Sequence, residues 1–123
     1  MMFDTDVIID ALRGDRQAVK TITDEKTERL VATATWLELL QGVRNKREME
    51  ELRALFARLR LAVSPLTESI GVRAALLLEK HALADGLQAF DALVAATALE
   101  GDRELLTWNR KHFKSVTGLK LQN

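Results

Sequence analysis

Hydrophobic and polar positions change their spacing repeatedly along the chain, and this change predicts an alternation of strands and helices. Short apolar runs rich in branched residues predict strands, whereas apolar residues at intervals of three and four predict helices. The predicted strands are "MMF", "RLVATAT", "RLAVSPL" and "ELLTW", and "LKL" fits a further strand at the edge. The predicted helices are "VIIDALRG", "RQAVKTITDEK", "TWLELLQGVRNKREMEELRALFARL", "TESIGVRAALLLEKHALADG" and "FDALVAATALEG". Because strands alternate with helices, we expect an α/β fold, a three-layer α/β/α sandwich with a mostly parallel central sheet of four to five strands.

Local signals predict where several helices begin and end. Thr35 and Glu38 have the T-x-x-E spacing of a capping box, which predicts a helix start at Thr35. Gly42 is expected to interrupt the long helical segment that follows, because glycine weakens a helix interior. The segment "NRKHF" is expected to form a turn or a short helix.

Composition narrows the class of protein. A chain of 123 residues fits one compact domain, so we expect a single domain over residues 1–123. Eighteen basic and eighteen acidic side chains give a formal net charge of zero, so no overall field attracts a nucleic acid or an anionic membrane. The absence of cysteine excludes disulfides and thiolate-bound zinc. The longest apolar run, "AALLL", is far too short to span a membrane, and we expect a soluble, cytoplasmic protein.

Three acids and an amide follow or flank the predicted strands. Asp4 comes at the end of the first strand, and Asn109 directly follows the fourth. Glu38 is expected in the first turn of the helix after the second strand, and Asp91 in the first turn of the helix before the fourth. The carboxyl ends of parallel strands share one edge of the sheet, where ligands gather, so we expect these four side chains to converge.

Converging carboxylates indicate a cation site. Close carboxylates repel one another, and a divalent cation among them removes that repulsion. Oxygen ligands with room for water and phosphate suit Mg²⁺ or Mn²⁺, and such a site suits hydrolysis of a phosphodiester. Each acid also has a structural interpretation: Glu38 can complete the capping box with Thr35, and Asp91 can stabilise the start of its helix. Asp6 and Asp10 are interpreted as a residue of the first helical turn and a solvated residue.

Four segments, in order, carry a resemblance to a known family. They are "FDTDVIIDALRG", "TATWLELLQG", "GLQAFDALVAATALEG" and "LLTWNRKHFKSVTGLKL". The third is the most specific, because an aspartate opens an A-L-V-A-A-T-A helix that precedes a strand and T-x-N-x-x-x-F. Over essentially its whole length, the chain resembles a PIN-domain ribonuclease of the VapC toxin type, from type II toxin–antitoxin pairs.

The resemblance implies roles for individual residues. Asp4, Glu38 and Asp91 would form the acidic triad that binds Mg²⁺ or Mn²⁺. Asn109 stands where many members have a fourth acid, and its neutral amide would position water or phosphate beside one firmly held ion. Thr107 would supply the hydroxyl that orients the first aspartate. Thr5 and Asp6 would support the site through hydrogen bonds.

The resemblance also implies RNA cleavage, a homodimer and inhibition by a small VapB-like antitoxin. The segment "NRKHFK" would supply the RNA contacts, and its candidate RNA-binding residues are Arg110, Lys111, His112 and Lys114. Trp36 and Trp108 adjoin site segments, where an indole can stack on a base. Packing in the core or against a partner is the favoured interpretation of both.

Other classes of protein fit less well. "DTDV" also matches the opening of haloacid-dehalogenase phosphatases, but the paired aspartates that this class needs downstream do not occur in the sequence. A response-regulator receiver needs paired acids at the end of the first strand and a suitably placed lysine, and this sequence has neither. The remaining alternative is a non-catalytic PIN-like binding or regulatory module, whose acids bind a cation or a partner's arginine without turnover.

Overall fold

The computed structural model describes residues 1–122, in which short parallel strands and helices alternate. The strands are β1 (Met2–Phe3), β2 (Arg29–Ala32), β3 (Leu61–Ser64) and β4 (Leu105–Leu106). The helices are α1 (Thr5–Leu12), α2 (Arg16–Asp24), α3 (Thr33–Gly42), α4 (Lys46–Leu59), α5 (Glu68–Asp85) and α6 (Ala89–Glu100), followed by a 3-10 helix at Arg110–His112. The predicted α/β class and the order of elements are confirmed.

The sheet has the order β3-β2-β1-β4, and every pairing within it is parallel. β1 lies in the middle, where Met2 is in register with Leu30 of β2 on one side and with Leu105 of β4 on the other. The predicted edge strand "LKL" does not form within the described residues, because only Leu121 makes a β-bridge, to Leu105. The carboxyl ends of β1, β2 and β4 therefore open toward the same edge of the sheet.

Apolar side chains cover both faces of the sheet. Successive residues of a strand point to opposite faces, so Met2 and Phe3 enter different hydrophobic clusters. Phe3 packs with residues of α1, α2 and α4, and Met2 packs with residues of α6 and with Phe113. A fully buried side chain of this size contributes about 1.5–3 kcal/mol. The two clusters make this a sandwich with helices on each side of the sheet.

The start of α3 differs from the prediction. β2 ends at Ala32 and α3 begins at Thr33, so Thr35 is an interior residue of the helix and not its cap. Ala32 occupies the N-cap position and makes no side-chain capping bond. The predicted capping box was wrong, because Thr35 is fully buried and its hydroxyl bonds to Thr5 instead. Glu38 consequently lies in the second turn of α3, not in the first.

Two of the elements around the site, β4 and α3, end at well-defined residues. β4 stops at Leu106, so Thr107 and Trp108 lie in the loop after the strand. Gly42 ends α3, and Asn45 caps α4 by accepting a hydrogen bond from the backbone N–H of Glu48, so the predicted interruption at Gly42 is confirmed. In the part of the chain that the structure describes, no helix combines the length and the apolar character needed to cross a membrane.

A candidate acidic active site

A cleft of about 590 Å³ opens at the carboxyl edge of the sheet, between α1, α3, α6 and the loop after β4. Its polar lining residues include Asp4, Asp6, Glu38, Asp91, Asn109 and His112. A groove of about 620 Å³ along α5 is slightly larger, but most of its surface is apolar and its charged residues include the ion pair between Arg73 and Glu100. The acidic cleft is therefore the candidate active site.

Asp4 is the most firmly held acid of the cleft. It caps α1 by accepting the backbone N–H of Thr5 on Oδ1 at 2.8 Å, and Oδ2 accepts the hydroxyl of Thr107 at 2.8 Å. Burial raises the pKa of Asp4 above its usual value, the charge of Asp91 adds to this, and the two hydrogen bonds act against it. Thr107 also accepts the backbone N–H of Asn109 at 3.0 Å, so one hydroxyl joins the β4 loop to Asp4.

Glu38 is held by a pair of threonine hydroxyls. The Thr5 hydroxyl donates to Glu38 Oε1 at 2.7 Å, and its oxygen lies 3.0 Å from the Thr35 hydroxyl. Because a hydroxyl carries a single proton, Thr35 supplies the proton of the second bond. Glu38 is thus connected to the start of α1 by a chain of two hydrogen bonds.

Asp91 lies in the first turn of α6 and faces the loop after β4. Its Oδ2 is 3.6 Å from Nδ1 of His112, and Nδ2 of Asn109 is 2.9 Å from the same ring nitrogen. The structure therefore brings Asp4, Glu38, Asp91 and Asn109 to the lining of a single cleft. Their elements enter it from three different parts of the sheet edge.

Asp6 also lines the cleft, as a partly buried carboxylate. Burial, together with the charge of Asp4, raises the pKa of Asp6 to about 6. Its Oδ2 accepts the backbone N–H of Trp108 at 3.1 Å, whereas Oδ1 is buried and has no hydrogen-bond partner among residues 1–122. Asp6 therefore connects α1 to the β4 loop and leaves one oxygen unsatisfied beside Asp4.

The donors suit a hard divalent cation, although they are not assembled around one. Among residues 1–122, no three histidine, cysteine, aspartate or glutamate side chains are gathered closely enough to hold a metal ion as they stand. The cleft nevertheless offers carboxylate oxygens, which are the ligands that Mg²⁺ or Mn²⁺ prefers. Two of its acids, Asp4 and Asp6, have raised pKa values. Glu38 accepts the Thr5 hydroxyl on Oε1 and can still offer Oε2 to a cation.

The predicted RNA-binding residues divide into two groups. Of the four, His112 lines the cleft. The other three are exposed on the segment beyond it, namely Arg110, Lys111 and Lys114. The Arg110 guanidinium also donates to the backbone carbonyl of Gln122 at 2.6 Å, which fixes its direction.

Several residues of the site region escaped the sequence reasoning. Asp10, interpreted as solvated, accepts the indole N–H of Trp108 at 3.0 Å. The spacing of Asp6 and Asp10 contained a signal, because residues four apart lie on one face of a helix. Gln88 and Phe90 also line the cleft, and although both lie in the segment "GLQAFDALVAATALEG", the sequence assigned neither a role.

Comparisons with known proteins agree with this architecture. Residues 1–119 match the PIN domain family. Ribonuclease VapC19 of Mycobacterium tuberculosis (strain CDC 1551 / Oshkosh) is 32% identical in an alignment of 123 positions that covers 97% of this chain and 96% of that protein. A toxin–antitoxin complex from Klebsiella pneumoniae contains a chain that is 27% identical, with a TM-score of 0.77 over 96% of this chain and 93% of that one.

The fold alone is shared with a more distant structure. VapBC2 from Rickettsia felis, bound to a DNA fragment from its promoter, contains a chain that is 17% identical, with a TM-score of 0.81 over 99% of this chain and 96% of that one. The matched family covers nearly all of the sheet and every acid of the cleft. The chain belongs to the PIN-domain family and, within it, to the VapC ribonuclease group.

Proposed function

We propose that residues 1–123 form a single nuclease domain that cleaves RNA as a metal-dependent endoribonuclease, the toxin of a type II toxin–antitoxin pair in the cytoplasm. The observation that carries this proposal is the cleft at the strand ends, where Asp4 is fixed by two hydrogen bonds and shares the lining with Glu38 and Asp91. A fixed carboxylate on a rigid element is what a cation site requires. The family of the chain supports the same chemistry.

The chain's own residues divide the work. Asp4, Glu38 and Asp91 would hold Mg²⁺ or Mn²⁺, which when bound supplies an activated water and offsets charge on the phosphate oxygens. Thr107 orients Asp4 by donating a hydrogen bond to Oδ2, and loss of this bond would change the orientation of the Asp4 carboxylate. Asn109 offers a neutral amide for water or phosphate, so we expect one firmly held ion.

Binding of the RNA chain is assigned to the segment after β4. Arg110, Lys111 and Lys114 are exposed there, and their positive charges can contact phosphates on either side of the cleaved bond. His112 adds a ring beside Asp91 at the cleft itself. With a formal net charge of zero on the whole chain, binding should be modest and should weaken as salt increases.

The proposed partners are a second copy of the chain and a VapB-like antitoxin. The solved relatives are described as toxin–antitoxin or VapBC complexes. For the homodimer we propose the outer face of α5, which leaves Val72, Leu76 and Leu83 exposed. For the antitoxin we propose that its tail crosses the acidic cleft, where an arginine would neutralise the carboxylates and displace the ion.

Cleavage of a structured RNA by purified protein tests the proposal. Activity should require added Mg²⁺ or Mn²⁺, should stop with EDTA, and should be lost in Asp91→Asn. Asp102→Asn is the matched control, because it makes the same chemical change on an exposed turn outside the cleft. Equal products from wild type and Asp91→Asn would indicate a contaminating nuclease and would leave the non-catalytic binding module as the better account.

A further inference from the structure

Trp108 is held open to solvent by two acids of α1. Its backbone N–H donates to Asp6 Oδ2 at 3.1 Å, and its indole N–H donates to Asp10 Oδ2 at 3.0 Å. Asp6 and Asp10 are one helical turn apart, so they accept these bonds from the main chain and the ring on the same face of α1. Even so, the residue remains 44% exposed.

Core packing does not account for this indole. Trp36, the other tryptophan of the chain, packs on Phe56 with ring centroids 4.8 Å apart and belongs to a hydrophobic cluster. Trp108 belongs to none of the hydrophobic clusters formed by residues 1–122. An aromatic ring normally contributes by burying apolar area. Here the hydrogen bonds fix the ring while much of that area stays accessible.

The position of Trp108 relates the ring to the chemistry. The preceding residue, Thr107, bonds to Asp4, and the following residue, Asn109, lines the acidic cleft. Neighbouring Cα atoms are only about 3.8 Å apart, so the Trp108 main chain lies at the rim of the cleft. A nucleotide adjoining a phosphate in the cleft would come within reach of the indole.

We propose that Trp108 is a stacking platform for one unpaired base of a single-stranded RNA beside the phosphodiester in the cleft. This inference rests on the proposed ribonuclease function. Every base has a π-face, so stacking on an aromatic ring tolerates different sequences but requires an unpaired nucleotide. The bond to Asp10 already restricts the ring, so stacking costs little further side-chain entropy.

The charges around the ring favour a base over other ligands. Asp6 and Asp10 repel a phosphate placed directly on the indole, whereas the face of a base is neutral. The exposed cations Lys111 and Lys114 follow within the same segment and can contact the neighbouring phosphates. Proteins that bind single strands commonly combine aromatic side chains, which stack on bases, with basic residues that contact the backbone.

Intrinsic fluorescence tests the contact directly, because the chain has only two tryptophans. In an Asp91→Asn background, which should prevent cleavage, Trp36→Phe leaves Trp108 as the reporter and Trp108→Phe leaves Trp36. A short single-stranded RNA of mixed sequence should quench the first protein and leave the second unchanged. Trp108→Ala should weaken binding of a labelled copy of this RNA roughly 5- to 150-fold, and Trp108→Phe should weaken it less.

Two further comparisons separate stacking from a structural role. Asp10→Asn keeps an acceptor for the indole N–H, whereas Asp10→Ala removes it. The affinity for RNA should therefore be lower in Asp10→Ala than in Asp10→Asn. In a scan of RNAs with one abasic nucleotide, one position should weaken binding to Trp108→Ala far less than it weakens binding to the Trp108-containing protein. All variants are compared at equal folded fraction by circular dichroism.

The outcomes distinguish this inference from the proposed function. Metal-dependent cleavage by wild type, together with an RNA affinity that Trp108→Ala leaves unchanged, overturns the stacking role alone. Unchanged RNA affinity with impaired binding of the co-expressed partner protein would assign the ring to that partner instead, and also overturns it. RNA-dependent quenching of Trp108 without cleavage by wild type would support stacking in a binding module and reject the enzyme.

Discussion

Replacing Asp6 by asparagine should stabilise the protein near neutral pH when divalent cations are absent. The native state holds this carboxylate partly buried beside Asp4, with Oδ1 lacking a hydrogen-bond partner among the described residues. Its ionised form is therefore less favourable in the folded protein than in the unfolded chain. The asparagine oxygen can still accept the Trp108 N–H, while the buried negative charge is removed.

The size of the effect follows from the pKa of Asp6. Burial and the Asp4 charge raise it from 3.8 to about 6. Each unit corresponds to about 1.36 kcal/mol, which gives roughly 3 kcal/mol for a fully shielded group. Because Asp6 is only partly buried, solvent screening reduces this to about 1–2 kcal/mol. For a chain of this length, that free energy raises the melting temperature by about 4–8 °C.

The sign of the pH dependence is fixed by the direction of the shift. A raised native pKa favours folding while the carboxyl is protonated, so the Asp6 contribution is complete below its unfolded pKa of 3.8 and is lost as pH rises through about 6. The advantage of Asp6→Asn should therefore be largest at neutral pH. It should shrink to roughly a third at about pH 4.5.

Urea unfolding in EDTA across this pH range provides the assay. EDTA is needed because a bound cation would itself stabilise the carboxylate. Asp10→Asn removes the same charge from the same helix and corrects for the change in net charge. An advantage of Asp6→Asn that stays constant, or that grows as the solution is acidified, would refute the reasoning.

Three further substitutions test the geometry. Thr107→Val removes the donor to Asp4 while keeping the shape of the side chain, so it should cost about 1–3 kcal/mol in urea unfolding and slow RNA cleavage, and Thr107→Ser should restore both. Asn109→Asp adds a carboxylate to the cleft, so calorimetry should detect tighter Mn²⁺ binding, and an unchanged affinity would contradict this placement. Arg29→Lys should lower the free energy of unfolding in urea by about 2 kcal/mol without changing the cleavage rate. The Arg29 guanidinium donates to the backbone carbonyls of Thr23, Glu25 and Leu59, which a single ammonium cannot bridge. An Arg29→Lys protein as stable as wild type would contradict this role.

Most of the architecture could be predicted from the sequence, because the spacing of hydrophobic residues indicates which side chains are buried. The runs "MMF" and "RLVATAT" were predicted as strands, and the sheet contains Met2–Phe3 of the first and Arg29–Ala32 of the second. The parallel arrangement followed from the helices between them, and the family resemblance is confirmed. The gathering of acids at one sheet edge followed from topology alone, whereas their roles in binding a cation stay predictions.

What the sequence left out depends on contacts between distant residues. Thr35 has the strand propensity of a branched residue and the spacing of a cap, but its hydroxyl bonds to Thr5 from inside α3. The strand "ELLTW" was predicted too long, since Thr107 leaves the sheet and donates to Asp4. The bond between Trp108 and Asp10 joins residues that no local pattern relates. Such partners are specified by the assembled fold.

The central place of β1 has a consequence for the timing of synthesis. Its pairing with β4 and the bond between Asp4 and Thr107 join positions that are 103 residues apart. At about 5–20 residues per second, a ribosome adds Thr107 roughly 5–20 s after it has added Asp4. In a nascent chain, the bond between Asp4 and Thr107, and with it the complete acidic cleft, can therefore form only after Thr107 has left the ribosome.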